Sequence, residues 1–278
     1  MELFKYCNQY GRLTLANLEI KVTPPNELND PCEMRPVVKV RDPHAWAEVQ
    51  VKQALTDESF FDRHKKQFAA GLTFQELQTY GGRAFDSIVD RMAIAAPTVD
   101  QHLQDNILAL ISAKWGVVSL SANQFHELMW AHYGDSHKGL MIGFDGSKPL
   151  FTPPTLLQCE YTDKPAVYDP SISDDHAQVE QFARRKRSNW SYEKEYRLVI
   201  PLRDCRKETN GGSTRYLSKI EPALITSVTF GLRTPPELKK DVGQTLRKPE
   251  FHHVTQWQIV EGNEPGDFRR ASISGAFH

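Results

Sequence analysis

Glu193 and Glu195 stand one residue apart, and Arg197 follows two positions further on. In an extended strand alternate side chains point to opposite faces, so these three share one side, while Tyr192, Lys194 and Tyr196 take the other. Neighbouring like charges raise the pKa of one carboxyl and a guanidinium lowers it. Such a group therefore supplies one acid and one base, or grips a polyhydroxylated substrate. The plain alternative is a solvated strand edge carrying a salt bridge. Trp190 and Tyr192, just upstream, favour a pocket, since aromatic rings line sites for planar ligands.

A second concentration lies between Met129 and Gly139, where His132, Tyr133, Asp135, Ser136, His137 and Lys138 surround two glycines. Glycine-bounded loops adopt unusual backbone geometry and often carry function. Phe125, Leu128, Met129, His132 and Tyr133 follow helical spacing, so they are expected on one face that is buried or lines a cleft. A buried histidine satisfied by a single hydrogen bond is the alternative for His132. His126, His132, His137 and Asp135 are suitable metal ligands by type, but His126 and His132 are six apart and diverge on a helix, so no metal site is expected. Phosphate-loop, dinucleotide-fingerprint and nucleophile-elbow motifs are missing, and Cys7 and Cys159 have no histidine beside them. The run Arg184, Arg185, Lys186, Arg187 either caps a helix end in solvent or meets phosphates of a nucleic acid, with Trp190 as a stacking surface.

Elements must hold these groups in place. Residues 1 to 40 read as short strands and loops, punctuated by Thr23-Pro24-Pro25-Asn26 and Asn29-Asp30-Pro31. From 45 to 113 the spacing of Trp46, Val49, Leu55, Phe60, Phe61 and Phe68 is helical, Thr73 and Glu76 form a capping box, and Pro97 separates two helices. Ser121 and Gln124 suggest another helix start. Strands are expected at Trp115 to Ser121, Leu140 to Phe144, Leu156 to Tyr161, Glu195 to Pro201, Thr214 to Leu217, Ile225 to Gly231 and Val254 to Val260. Polar helices are expected at 174 to 188 and near 236 to 245. The sum is an α+β protein with a mixed, largely antiparallel sheet, split or continuous, as one domain over 1–278 with a helical insertion at 45–113.

The chain has 278 residues, 40% of them hydrophobic and 25% charged, which suits a packed globular core. Its 34 basic and 35 acidic residues give a net charge of -1, so no global field draws it to nucleic acid or to an anionic membrane. No apolar run nears the roughly 20 residues of a membrane span. Scattered cysteines without metal spacing, and an N-terminus unlike a secretion signal, lead to the expectation of a cytoplasmic protein with reduced thiols.

Phe4-Lys5-Tyr6, Glu27-Leu28-Asn29-Asp30-Pro31-Cys32-Glu33, Val118-Ser119-Leu120-Ser121, Met129-Trp130-Ala131-His132-Tyr133 with His137-Lys138-Gly139, and Trp190-Ser191-Tyr192-Glu193-Lys194-Glu195-Tyr196-Arg197 together resemble a bacterial family catalogued as domain of unknown function two-nine-seven-one. A usual aromatic after Asn-Asp-Pro is replaced by Cys32. Ser119-Leu120-Ser121 and Glu193-Lys194-Glu195 also resemble, in order, motifs of ADP-ribosyltransferases, which hold NAD in a split sheet. In place of that group's Arg or His, the first strand carries Lys5 and Tyr6.

The second resemblance implies NAD as substrate. Glu195 would steady the oxocarbenium-like transition state, Glu193 would meet the acceptor, and Tyr133 or Trp130 would stack on nicotinamide. The candidate catalytic residues are then Glu195, Glu193, Tyr133, His132 and Ser121. The candidate binding residues are Ser119, Trp130, Tyr192, Arg197 and Lys138. An effector enzyme acting in bacterial defence, restrained by a neutralising protein partner, is the implied setting. Two other classes stay open: a metal-dependent nuclease or phosphodiesterase using Glu193 and Glu195 with Asp30 or Glu33, and a non-catalytic nucleotide sensor.

Overall fold

The computed structural model describes residues 1–68, 72–94, 101–151, 155–171, 175–264 and 267–273. Within these the chain divides into two compact units. One consists of Met1–Met34, Ala109–Lys164 and Ala183–His278, the other of Arg35–Leu108 and Pro165–Phe182.

The first unit is built on an eight-stranded sheet, whose strands are labelled here in chain order: β1 (Glu2–Cys7), β2 (Trp115–Ser121), β3 (Leu140–Asp145), β4 (Leu156–Gln158), β5 (Glu195–Pro201), β6 (Ile225–Phe230), β7 (Thr255–Glu261) and β8 (Phe268–Ser272). Their spatial order is β8-β7-β6-β3-β1-β2-β5-β4. Every neighbouring pair is antiparallel except β6 and β7. The fold is α+β, with a mixed, largely antiparallel sheet.

Side-chain alternation places two cores on the two faces of the sheet. Leu3 of β1 joins Ile142, Phe144, Val228 and Phe230 in one apolar cluster, which also takes in Leu238 and Val242 of the helix Pro236–Leu246. Phe4 and Tyr6 face the other way, into a cluster with Met129, Trp130, Met141 and Ile259.

The join between β1 and β2 departs from regular pairing. β1 pairs with β3 along its whole length, and β2 does the same with β5. β1 and β2 meet only at Phe4 and Ser121. Elsewhere the inner edge of β2 finds other partners. Val117 exchanges backbone hydrogen bonds with Thr23, and the Ser119 carbonyl accepts from the Lys5 ammonium at 3.2 Å. The sheet thus opens between β1 and β2 while remaining one eight-stranded sheet.

In the second unit the helices Pro43–Thr56, Glu58–Phe68, Phe74–Gly81 and Phe85–Ile94 pack through Ala47, Val51, Phe61, Leu77, Ile88 and Met92. The capping box forms as expected: Thr73 accepts from the Glu76 amide, and Glu76 accepts from the Thr73 amide. Val49 departs from the expected apolar stripe and is exposed. This unit also contains 165–182, whose Val167–Tyr168 pairs in parallel with Val37–Val38, a connection that local spacing does not reveal. Pro97 and the side chain of Phe68 lie outside the described residues.

Three further elements differ from expectation. A helix occupies Gly11–Asn17, where strands and loops were expected. No helix starts at Ser121 and Gln124; the next one runs Glu127–His132 and is capped by His126, which accepts from the Leu128 amide. The polar helix spans Asp175–Arg184 and stops there because Arg185–Lys186 pairs as a strand with Glu160–Tyr161. Residue 174 lies outside the described residues.

Candidate functional site

The opening between β1 and β2 is a cleft. β1 lines it with Phe4, Lys5 and Tyr6, and β2 with Ser119, Leu120 and Ser121. Leu28, Asn29, Glu33, Met129, Tyr133, Lys186, Glu193 and Glu195 complete the wall. All belong to the first unit.

Glu195 and Arg197 reach one face as alternation requires, since they pair with Ser121 and Ser119 on β2. Glu193 joins them by another route. It ends a 3-10 turn, Ser188–Glu193, and Lys194 then takes a left-handed conformation, with φ 44, before β5 begins. The extended reading of 192 to 197 therefore holds only from Glu195 onward. The turn brings Glu193 beside Glu195 all the same, because a common cation lies between them.

That cation is Lys186. Its Nζ donates to Glu193 Oε2 at 2.6 Å and to Glu195 Oε2 at 2.7 Å, and lies 3.7 Å from Glu33 Oε1. Arg197 donates through Nε to Glu195 Oε1 at 2.8 Å and through Nη2 to Glu195 Oε2 at 2.9 Å. It also contacts Glu33 and donates to the Ala183 carbonyl at 3.0 Å. All five charged residues are buried, Arg197 completely. Three acids against two cations leave this cluster one negative charge in excess when all are ionised, and buried charge is tolerated only when so paired.

The environment shifts these groups. Burial raises the Glu195 carboxyl above its usual range, with Lys186 opposing. Burial also works against the charge on Lys186, but Glu195 and Glu193 outweigh it and raise its pKa above the ordinary lysine value. Burial lowers Arg197 to about 9, so it stays charged at neutral pH. Burial, followed by the Glu193 charge, raises the Tyr133 phenol, which therefore stays protonated and donates to Glu193 Oε1 at 2.7 Å. Asn29 Nδ2 donates to the same phenolic oxygen at 3.0 Å.

Surrounding hydrogen bonds fix the walls. The Tyr161 hydroxyl accepts from the Glu195 amide at 2.7 Å. Ser121 Oγ donates to the Glu193 carbonyl and accepts from the Asn123 amide at 2.8 Å, tying β2 to the turn before β5. Trp190 Nε1 donates to Asp30 Oδ2 at 2.8 Å and its ring lies 5.3 Å from the Lys186 ammonium, so Asp30 meets the indole beside the charged cluster instead of joining the cluster.

Of the expected site residues, Ser119, Ser121, Tyr133, Glu193 and Glu195 line the cleft. Arg197 is fully buried outside the lining and donates to both oxygens of Glu195. The others are placed differently. Trp130 is fully buried in the apolar cluster, edge-on to Tyr6 at 5.1 Å, and is not a stacking surface in the cleft. His132 is exposed, its ring 6.1 Å from that of Trp190. Of the face expected to carry Phe125, Leu128, Met129, His132 and Tyr133 inward, Met129 and Tyr133 line the cleft, whereas Phe125, Leu128 and His132 are exposed. Tyr192 stacks on His126 at 4.8 Å, outside the lining. Lys138 is exposed on the 134–139 loop, where Asp135, Ser136 and His137 all have positive φ.

The basic run is also reassigned in part. Lys186 points into the acidic cluster and is not available to phosphates, whereas Arg187 is exposed. Lys186 and Lys5 are the cleft residues that the spacing missed. The only signal for Lys186 was a basic residue beside an acid-rich motif, hidden within a run that reads as a helix end. Glu33 and Asn29 lie in the Asn-Asp-Pro segment, but nothing local links them to partners more than 100 positions away.

Residues 129–198 match the model of a family described as protein of unknown function (DUF2971), the family that the motifs resemble. No curated protein and no solved structure matches the chain. Among the described residues, no helix is long and apolar enough to cross a membrane.

Proposed function

We propose, from the premise that residues 129–198 match a family without an assigned activity, that the cleft takes a nucleotide of the NAD class and cleaves its N-glycosidic bond in the manner of ADP-ribosyltransferases or NAD glycohydrolases. One observation carries this reading: Ser121, Tyr133, Glu193 and Glu195, drawn from separate segments, line a single opening between two strands of the sheet.

Breaking the bond between nicotinamide and ribose leaves positive charge on C1′ and the ring oxygen. A preorganised negative charge stabilises that state better than water does, because it needs no reorganisation. The cluster of three acids and two cations supplies one such charge under the cleft. Each carboxylate oxygen has two lone-pair sites, and the bond from Tyr133 occupies one on Glu193 Oε1, which leaves a second for a ribose or acceptor hydroxyl. In the hydrolytic form, water oxygen bonds to C1′ as nicotinamide departs with the bonding electron pair, and the proton from water passes through a carboxylate to solvent. Tyr133 and Tyr6 supply the aromatic surface in place of Trp130.

A second reading, binding without turnover, draws on one feature: both oxygens of Glu193 and of Glu195 already accept hydrogen bonds. The metal-dependent reading fits less well, because the Lys186 ammonium occupies the position between carboxylates that a divalent ion would need.

Labelled NAD incubated with the protein, with and without candidate acceptors, tests the proposal. Turnover that falls by about 10²- to 10³-fold in Glu195→Gln supports it. Saturable binding without product in the parent selects the sensor reading, and neither binding nor product sinks both.

A further inference from the structure

We propose that the Lys5 amine is a nucleophile that condenses with small hydroxyaldehydes, the open-chain form of sugars, admitted to the cleft between β1 and β2. This goes beyond the N-glycosidic reading and holds whether or not NAD is the substrate.

The cleft contains two lysines in opposite states. Lys186 is fixed between two carboxylates and keeps its proton. Lys5 forms no ion pair among the described residues; its Nζ has one hydrogen bond, to the Ser119 carbonyl at 3.2 Å. A protonated amine has three donors, and this half-buried side chain meets one protein acceptor. Burial accordingly lowers the Lys5 pKa, with Cys7 and Glu195 opposing. Desolvation of this kind activates lysines for imine chemistry.

The walls suit a hydroxylated carbonyl compound. Ser119, Ser121, Asn29 and Tyr133 offer hydroxyl and amide groups, and Glu195, whose carboxyl burial raises, is within electrostatic reach of Lys5. In the first step the Nζ lone pair bonds to the aldehyde carbon, the C=O π pair moves to oxygen, and a proton shifts from nitrogen to that oxygen to give a carbinolamine. The C–O bond then breaks, the oxygen leaving as water with a second proton drawn from solvent. The nitrogen lone pair completes the C=N bond as an iminium. No oxidant or reductant is consumed.

The test uses the whole chain at pH 7 with glycolaldehyde and cyanoborohydride, followed by digestion and mass mapping of reduced adducts. A lowered pKa raises the neutral-amine fraction at pH 7, so Lys5 is expected to label faster than exposed Lys207. Propionaldehyde, which lacks the hydroxyl, should label Lys5 more slowly than glycolaldehyde does. Labelling of Lys5 no faster than Lys207 overturns the nucleophile, and equal rates for the two aldehydes overturn the substrate class.

Discussion

Replacing Lys186 with Met removes the ammonium that joins Glu193 and Glu195 at 2.6 and 2.7 Å while preserving most of the side-chain volume. Each pair at about 2.7 Å has a Coulomb energy on the order of 6 kcal/mol at an effective dielectric of about 20. Much of that offsets the desolvation of the ions. Measured losses when one partner of a buried pair is removed run to about 3–5 kcal/mol, because the other charge is left uncompensated. Arg197 still holds Glu195 and Tyr133 still holds Glu193, so the lower half of that range is expected at pH 7.

The loss should depend on pH. In the parent, Lys186 has a raised pKa, so its stabilisation is fully present below its unfolded value of 10.5 and is lost only at more alkaline pH. Its contribution is therefore flat from pH 5 to 7. In the variant Glu195, whose carboxyl burial already raises, takes up a proton more readily when folded than when unfolded, so stability falls as pH rises through its folded pKa. The deficit should be smaller at pH 5 than at pH 7, and Glu193→Gln in the Met background should recover part of it. Urea titrations at both pH values measure this. A deficit below about 1 kcal/mol at pH 7, the scale of a surface pair, refutes the picture of a buried and interdependent cluster. So does a deficit equal at the two pH values.

Tyr133→Phe removes the donor to Glu193 Oε1 and should cost about 1.5–3 kcal/mol in stability, as for hydrogen bonds to charged groups, readable by urea titration. Gly139→Ala would bring a Cβ within 2.0 Å of the Cys7 carbonyl oxygen, which is backbone and cannot rotate away. A loss of at least about 1–3 kcal/mol, seen as a lowered melting temperature, is expected. Arg187→Ala changes an exposed side chain and should stay within about 0.5 kcal/mol of the parent, whereas a large loss would mean that the basic run acts as a unit.

Alternation and spacing are local properties, and they carried what is local. β5 begins and ends where its pattern predicts, at Glu195 and Pro201, and Glu195 and Arg197 share a face because the period of a strand is two. The Thr73–Glu76 cap and the helix at Pro236–Leu246 were legible for the same reason. The helix at Glu127–His132 was misread because six residues are too few for a stripe to decide its own orientation. Trp130, the largest apolar group available, went to the core and turned His132 outward.

Residue order alone thus established an α+β chain, the approximate strands, and a pair of acids beside an arginine. Only tertiary structure decided what neutralises them. Lys186 and Glu33 come from elsewhere in the chain, and the opening that Lys5 enters exists because two strands that could have paired throughout touch at one residue pair. Such meetings depend on which distant surfaces exclude water together, and the spacing of neighbours along a chain does not encode that.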